Sequence, residues 1–173
     1  MRRKFFLLVI LLLSGSRLFA ADGVLEYQVK AVCVLNAARF VSWPASAFAN
    51  SSAPLVIGIL GDNPFGSALQ DVVAGETIHA RRIVVRRVAL SEAASVQILF
   101  ISNAQRGHLD EILRTLGDAS VLTISEIDRF SQNGGMLGLA LDRGKIRFEV
   151  NSDAVSRAQL KIDSQFLLLT RTK

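Results

Sequence analysis

Hydrophobic positions along the chain fall into two kinds of run, short unbroken ones and longer ones at helical spacing, and the two kinds alternate. The clearest unbroken run is Leu55–Leu60, LVIGIL, which passes through Gly61-Asp62 into Asn63-Pro64 and an amphipathic stretch reaching Val73. So short a run, rich in branched residues, predicts a strand buried on both faces that turns directly into a helix. Asp62 or Asn63 caps that helix, Pro64 suits its first turn, and Gly61 lets the backbone bend at the strand's carboxyl end. Gly75 ends the helix, and a connection then passes Thr77, His79 and Arg81. Residues 83–88 predict a second strand with Arg86 and Arg87 near its end, Ser91 and Glu92 begin a short helical turn, and residues 97–102 (QILFIS) predict another buried strand. Asn103 caps a helix over 104–116, whose stripe is Leu109, Ile112, Leu113 and Leu116 and whose stop is Gly117. Residues 120–124 form a further strand, and Ser125 with Asp128 signals the start of a helix containing Ile127 and Phe130.

The pattern then changes. Residues 136–141 and Lys145–Val150 flank Asp142-Arg143-Gly144, and Ile146, Phe148 and Val150 alternate with Arg147 and Glu149. That predicts a hairpin with a three-residue turn whose glycine takes the left-handed position. Asn151 caps a short helix through Ala158, and residues 166–169 lie in a last apolar helix. Strand and helix alternate, and a hairpin closes the sheet. The expected fold is therefore α/β and three-layered, a mostly parallel sheet flanked by helices with a C-terminal antiparallel hairpin.

Ahead of all this, residues 24–43 predict a long helix stopped by Pro44. At about 100° per residue, Tyr27, Ala31, Val34, Ala38 and Val41 share one stripe, while Val29, Val32, Cys33 and Phe40 share another. Glu26 and Lys30 pair at i,i+4 on a polar strip between them. One apolar stripe packs on the sheet, and the other is either a second internal contact or a subunit interface. Asn36, beside the second stripe, needs a hydrogen-bond partner if it is partly buried.

Residues 1–21 read as a cleaved secretory leader: Arg2, Arg3 and Lys4 precede the nine apolar residues Phe5 to Leu13, and Leu18-Phe19-Ala20-Ala21 supplies the small-residue site. Nine apolar residues fall short of the roughly 20 that span a bilayer. The domain is thus 22–173, a single exported unit. Of 20 basic and 15 acidic residues, the four bases Arg2, Arg3, Lys4 and Arg17 leave with the leader. The remaining 16 against 15 make no case for nucleic-acid binding. A lone cysteine, Cys33, forms no internal disulfide and acts either as a small core residue or in a symmetric bridge between subunits.

Candidate chemistry is sparse. His79 and His108 have no second ligand at metal spacing, and no nucleophile elbow, phosphate loop or cysteine–histidine signature is present, so neither a metal, a cofactor nor catalysis is expected. Gly61, Asp62, Asn63 and Phe65 lie where open α/β sheets bind ligands and are the candidate rim for a small molecule, although turn and cap chemistry accounts for them too. Arg81, Arg82, Arg86 and Arg87 form the densest cationic cluster, either protecting a strand edge or meeting an acidic partner or anionic lipid. Val29, Val32, Cys33, Asn36, Phe40, Arg86 and Arg87 are the candidate dimer or partner surface.

Several segments together resemble the YfiR family of periplasmic proteins: 26–31 (EYQVKA), Asn36 with 40–44 (FVSWP), 58–66 (GILGDNPFG), 98–102 (ILFIS), 121–125 (VLTIS), 134–136 (GGM), 147–151 (RFEVN) and 160–162 (LKI). The resemblance implies a homodimeric inhibitor that binds the periplasmic region of a membrane-bound diguanylate cyclase, lowering cyclic di-GMP and biofilm formation. It further implies an outer-membrane-linked protein that sequesters the inhibitor. The paired cysteines of the family's best-known member are missing, so redox control through an internal disulfide does not carry over. The alternative function is a periplasmic small-molecule-binding module using the Gly61 rim.

Overall fold

The computed structural model describes residues 16–142 and 145–170, with only the backbone course given for 16–22 and 168–170. In chain order the elements are α1 (Ser16–Arg39), β1 (Val41–Ser42), β2 (Leu55–Leu60), α2 (Ala68–Val73), β3 (Thr77–Ile78), β4 (Arg81–Val88), β5 (Ile98–Ile101), α3 (Leu109–Leu116), β6 (Leu122–Ser125), β7 (Leu137–Asp142), β8 (Lys145–Val150), α4 (Ser152–Arg157), β9 (Lys161–Ile162) and α5 (Ser164–Thr170). Single 3-10 stretches occupy Ala45–Ala47, Leu90–Ser95 and Asn103–His108.

The main sheet has the order β3-β4-β2-β5-β6-β7-β8. From β4 to β7 every pairing is parallel, and the two edges, β3 on β4 and β8 on β7, are antiparallel. The five parallel strands thus follow the doubly wound order 2-1-3-4-5, in which the chain reverses direction beside its first strand. Alternate side chains serve two cores. Leu55, Ile57, Ile59, Ile98, Phe100, Leu122 and Ile124 face α1, α2, α4 and α5, while Leu60, Leu99 and Ile101 face α3 and the 3-10 turn at Leu90–Ser95. The three-layer α/β expectation holds, C-terminal hairpin included. Phe100 and Phe130 are fully buried, one in each core; burial of side chains this large contributes about 1.5–3 kcal/mol apiece.

Several boundaries differ from the sequence reading. α1 starts at Ser16, takes in Ala20, and stops at Arg39 rather than Trp43. Val41 and Ser42 instead pair with Ile162 and Lys161 in a separate two-stranded ribbon. The Asp163 N–H donates to the Phe40 carbonyl at 2.9 Å. Trp43 turns inward and donates its indole N–H to the Gln97 carbonyl at 3.0 Å. The helix after β2 begins only at Ala68, with no side-chain cap from Ser67. Asn63 shapes the turn before it: its Oδ1 accepts the Phe65 N–H at 3.0 Å and its Nδ2 donates to the Gly66 carbonyl at 2.9 Å. The helix predicted over 104–116 begins as a 3-10 stretch and becomes α only from Leu109. No helix forms around Ile127 and Phe130, where the chain is a series of turns. Ser125 there donates to the Ile101 carbonyl and accepts the Ile127 N–H. Asp142 pairs with Lys145, so it belongs to the strand and not to a three-residue turn. Arg143 and Gly144, and the glycine conformation expected there, lie outside the described residues, as do residues 1–15 of the expected leader. Asn151 does cap α4, accepting the Ala154 N–H at 3.0 Å.

Candidate functional site

The doubly wound order places a switch point between the carboxyl ends of β2 and β5, where such sheets bind ligands. Gly61 stands there at φ +92°, and a Cβ on it would overlap Ser102 Oγ and crowd Gln105. Ser102 and Gln105 therefore pack closely against the backbone at Gly61. Phe65 is buried, with its ring 4.6 Å from Phe100 and 5.9 Å from Tyr27. Asn63 is committed to its turn, and Asp62 alone of the four rim residues is exposed.

On α1, Ala31, Val34 and Ala38 are buried, as the first stripe requires, and Val41 is buried in β1. The second stripe divides. Phe40 lies 5.5 Å from Phe166 and so makes an internal contact. Val29 and Val32 are each 44% exposed, Val24 and Leu25 more so, and Cys33 and Asn36 are half-buried. Burial pushes the Cys33 thiol above its ordinary pKa, lowering its thiolate fraction at neutral pH. Leu25, Val29 and Cys33 form one wall of an open groove of about 590 Å³, and Leu141, Lys145 and Ile146 of the hairpin form the other. Leu25, Val29, Val32 and Asn36 recur at steps of four, three and four, the seam spacing by which one helix receives another. Among the described residues, none covers Val29 and Val32, which leaves an apolar face on α1.

Arg86 and Arg87 are not part of that face. They lie on β4, with β2, β5 and β6 between them and the hairpin. Arg86 donates to Glu92 at 2.8 Å, and the Ala89 N–H together with Arg86 holds the Glu92 carboxyl below its usual range. Arg87 donates to the Gly61 carbonyl at 2.9 Å. Arg81 donates to the carbonyls of Asn50 and Ala53 and stacks 3.8 Å over Phe48, fixing the loop before β2.

Sequence reasoning missed a charged cluster at the carboxyl end of β6. Lys30, read as the i,i+4 partner of Glu26 on a polar strip, is only 4% exposed. It binds Glu26 at 2.5 Å and also Glu126, on the loop after β6. The Tyr27 hydroxyl donates to the other Glu126 oxygen at 2.9 Å, and the ammonium sits 4.6 Å above the Tyr27 ring. Burial lowers the Lys30 pKa, but the bonds to Glu126 and Glu26 outweigh it and leave the pKa raised. Burial, then the bond to Glu126, pushes the Tyr27 phenol up to about 12. The cluster backs a polar recess of about 360 Å³ that Asn103, Arg106 and Arg129 also line. Its donors and acceptors satisfy one another, so its role is to fasten α1 to the sheet. The i,i+4 spacing located Lys30 and Glu26, but no local pattern could supply Glu126.

The two histidines stand apart from each other. His79 Nε2 lies 3.1 Å from the Val41 carbonyl, and His108 is exposed at the end of the 3-10 stretch, immediately before α3. Among the described residues no group of three or more His, Cys, Asp or Glu is placed to hold a metal ion, and no described helix is long and apolar enough to cross a membrane. What the geometry offers is surface, above all the uncovered face of α1. Compared with known families, residues 27–171 match the YfiR/HmsC-like family, from the first buried turn of α1 through α5. That match takes in every strand and both cores of the molecule, and the chain belongs to the YfiR/HmsC-like family.

Proposed function

We propose that this chain is a periplasmic regulatory protein, exported by a cleaved leader over residues 1–21, that binds and inhibits an inner-membrane diguanylate cyclase and so lowers cyclic di-GMP and biofilm formation. The family match carries this reading, because it supports a regulatory role in cyclic di-GMP signalling. The α1 face supports it independently: Val29 and Val32 are apolar, uncovered, and spaced for contact with another helix. The same face serves a homodimer, the partner, or each in turn, and an outer-membrane-linked protein competes for the inhibitor. No catalysis and no cofactor are needed. The close packing of Ser102 and Gln105 against Gly61 weighs against small-molecule binding at that rim.

The mechanism is linkage. A regulator that binds only the inactive cyclase shifts its equilibrium by the difference in affinity for the two states, and about 10⁴-fold selectivity moves it from nearly all active to nearly all inactive. Affinity capture from detergent-solubilised inner membranes, using the mature protein as bait and mass spectrometry to identify what is retained, tests the reading. A diguanylate cyclase with a periplasmic region is expected. Recovery of no cyclase or other membrane sensor contradicts it.

A further inference from the structure

β4 is eight residues long, yet its outer neighbour β3 covers only the first two, pairing Ile78 with Arg81 and Thr77 with Arg82. The hairpin between β3 and β4 turns through His79 and Ala80, both at positive φ (52° and 62°). Residues with side chains adopt that conformation only where the surroundings hold them in it. Before β3 the chain comes directly from the end of α2, so no strand continues along β4. From Ile83 to Val88 the outer edge has no strand partner, and no other backbone hydrogen bond reaches it among the described residues. Beside this edge lies a recess of about 350 Å³, walled by Val73 and Glu76 on one side and by Ile83 and Val85 on the other. An exposed edge of this kind adds a strand readily: main-chain bonds give affinity, and flanking pockets give specificity.

Charge selects the occupant. Arg82 and Arg87 are exposed, and neither has a carboxylate partner among the described residues, whereas Arg86 has Glu92. A second copy pairing through β4 would bring the four arginines of each strand, Arg81, Arg82, Arg86 and Arg87, into one ladder, which like-charge repulsion opposes. We infer that the outer edge of β4, from Ile83 to Val88, docks an extended acidic segment of the protein this chain regulates, which joins the sheet beside β3 as its next strand. Arg82 and Arg87 point to opposite faces of the strand, so the incoming segment carries carboxylates on both of its faces. This rests on the regulatory-binding reading and names the chemistry of the partner.

Fluorescence anisotropy with a short fluorescein-labelled peptide of glutamate and valine, set against its lysine-and-valine counterpart, tests it on the mature protein, with amide hydrogen exchange read over 83–88. The acidic peptide alone is expected to bind and to slow exchange at those amides. The double substitution Arg82→Glu with Arg87→Glu, at exposed positions, is expected to weaken the acidic peptide about tenfold and to admit the lysine peptide. Equal binding of both peptides, binding of neither, or protection elsewhere in the chain overturns the assignment. Membrane capture separates the two ideas. If the double variant still retains the cyclase as well as wild type does, the edge is wrong and the regulatory reading stands. If peptide specificity follows charge while no sensor is captured, the reverse holds.

Discussion

Lys30 allows a quantitative test of how α1 is held. The ammonium is buried, touches Glu26 and Glu126, and lies over Tyr27. Substitution by methionine preserves most of the volume and removes the charge. Glu26 has a side chain 33% exposed and is re-solvated at little cost. Glu126 is 11% exposed and keeps only the Tyr27 hydroxyl. Removing one member of a buried pair costs about 3–5 kcal/mol. Partial exposure of Glu126 and its remaining bond place Lys30→Met near the lower end, about 3 kcal/mol. For a domain of this size each kcal/mol moves the thermal midpoint by about 2–4 °C, so a fall of about 6–12 °C is expected. Adding Glu126→Leu removes the stranded carboxylate, and the double variant should recover part of the loss, since replacing both ions by apolar groups is often near neutral. Urea denaturation of wild type, both single variants and the double variant gives the coupling. A Lys30→Met loss under about 0.5 kcal/mol, or a double variant as unstable as the sum of the singles, would refute the reasoning.

Alkaline pH should act on the same cluster. Tyr27 and Lys30 both have pKa values raised in the folded chain, so their contribution is intact below the unfolded values and is lost as pH rises through the folded ones. The denaturation midpoint should therefore fall between about pH 10 and 12, less steeply in Tyr27→Phe, and a midpoint that rises over that range contradicts the assignment. Gly135→Ala puts a methyl group into the ring of Phe130, which is fully buried, and should destabilise by about 1–3 kcal/mol or more in chemical denaturation. Val29→Asp with Val32→Asp changes only exposed positions, so the monomer should keep its stability to within about 1 kcal/mol. Sedimentation velocity should show self-association weakened by the same pair, whereas unchanged association would remove α1 from the subunit interface.

What the sequence made legible was local. Unbroken runs such as 55–60 and 98–101 announced buried parallel strands because both faces of each strand are covered. Alternation over 145–150 announced the hairpin, and Asn151 announced α4. What escaped was set by contacts between distant parts of the chain. α1 ends before Trp43 because β9 claims Val41 and Ser42, and nothing near residue 40 encodes that partner. Ile127 and Phe130 have helical spacing, but Ser125 satisfies the first free amide and Gly135 admits the Phe130 ring, so turns suffice. Of the candidate surface, Val29 and Val32 are exposed, while Phe40 was claimed by Phe166 from the last helix, a division of the second stripe that its spacing alone does not encode. Asn63 and Phe65 belong to the turn and the core because both are already bonded or packed within the chain. Lys30 changed most, from the polar-strip partner of Glu26 to the centre of a buried cluster that also holds Glu126.

The central claim is that this chain restrains a cyclase from outside the cytoplasm. Cellular cyclic di-GMP, measured by mass spectrometry in the parent strain, in a deletion strain, and in that strain complemented with either the full chain or a version lacking residues 1–21, tests it most directly. The account predicts that deletion raises the nucleotide, that the full chain restores the parental level, and that the leaderless form does not. A level unmoved by deletion, or restored equally by the leaderless form, would contradict it.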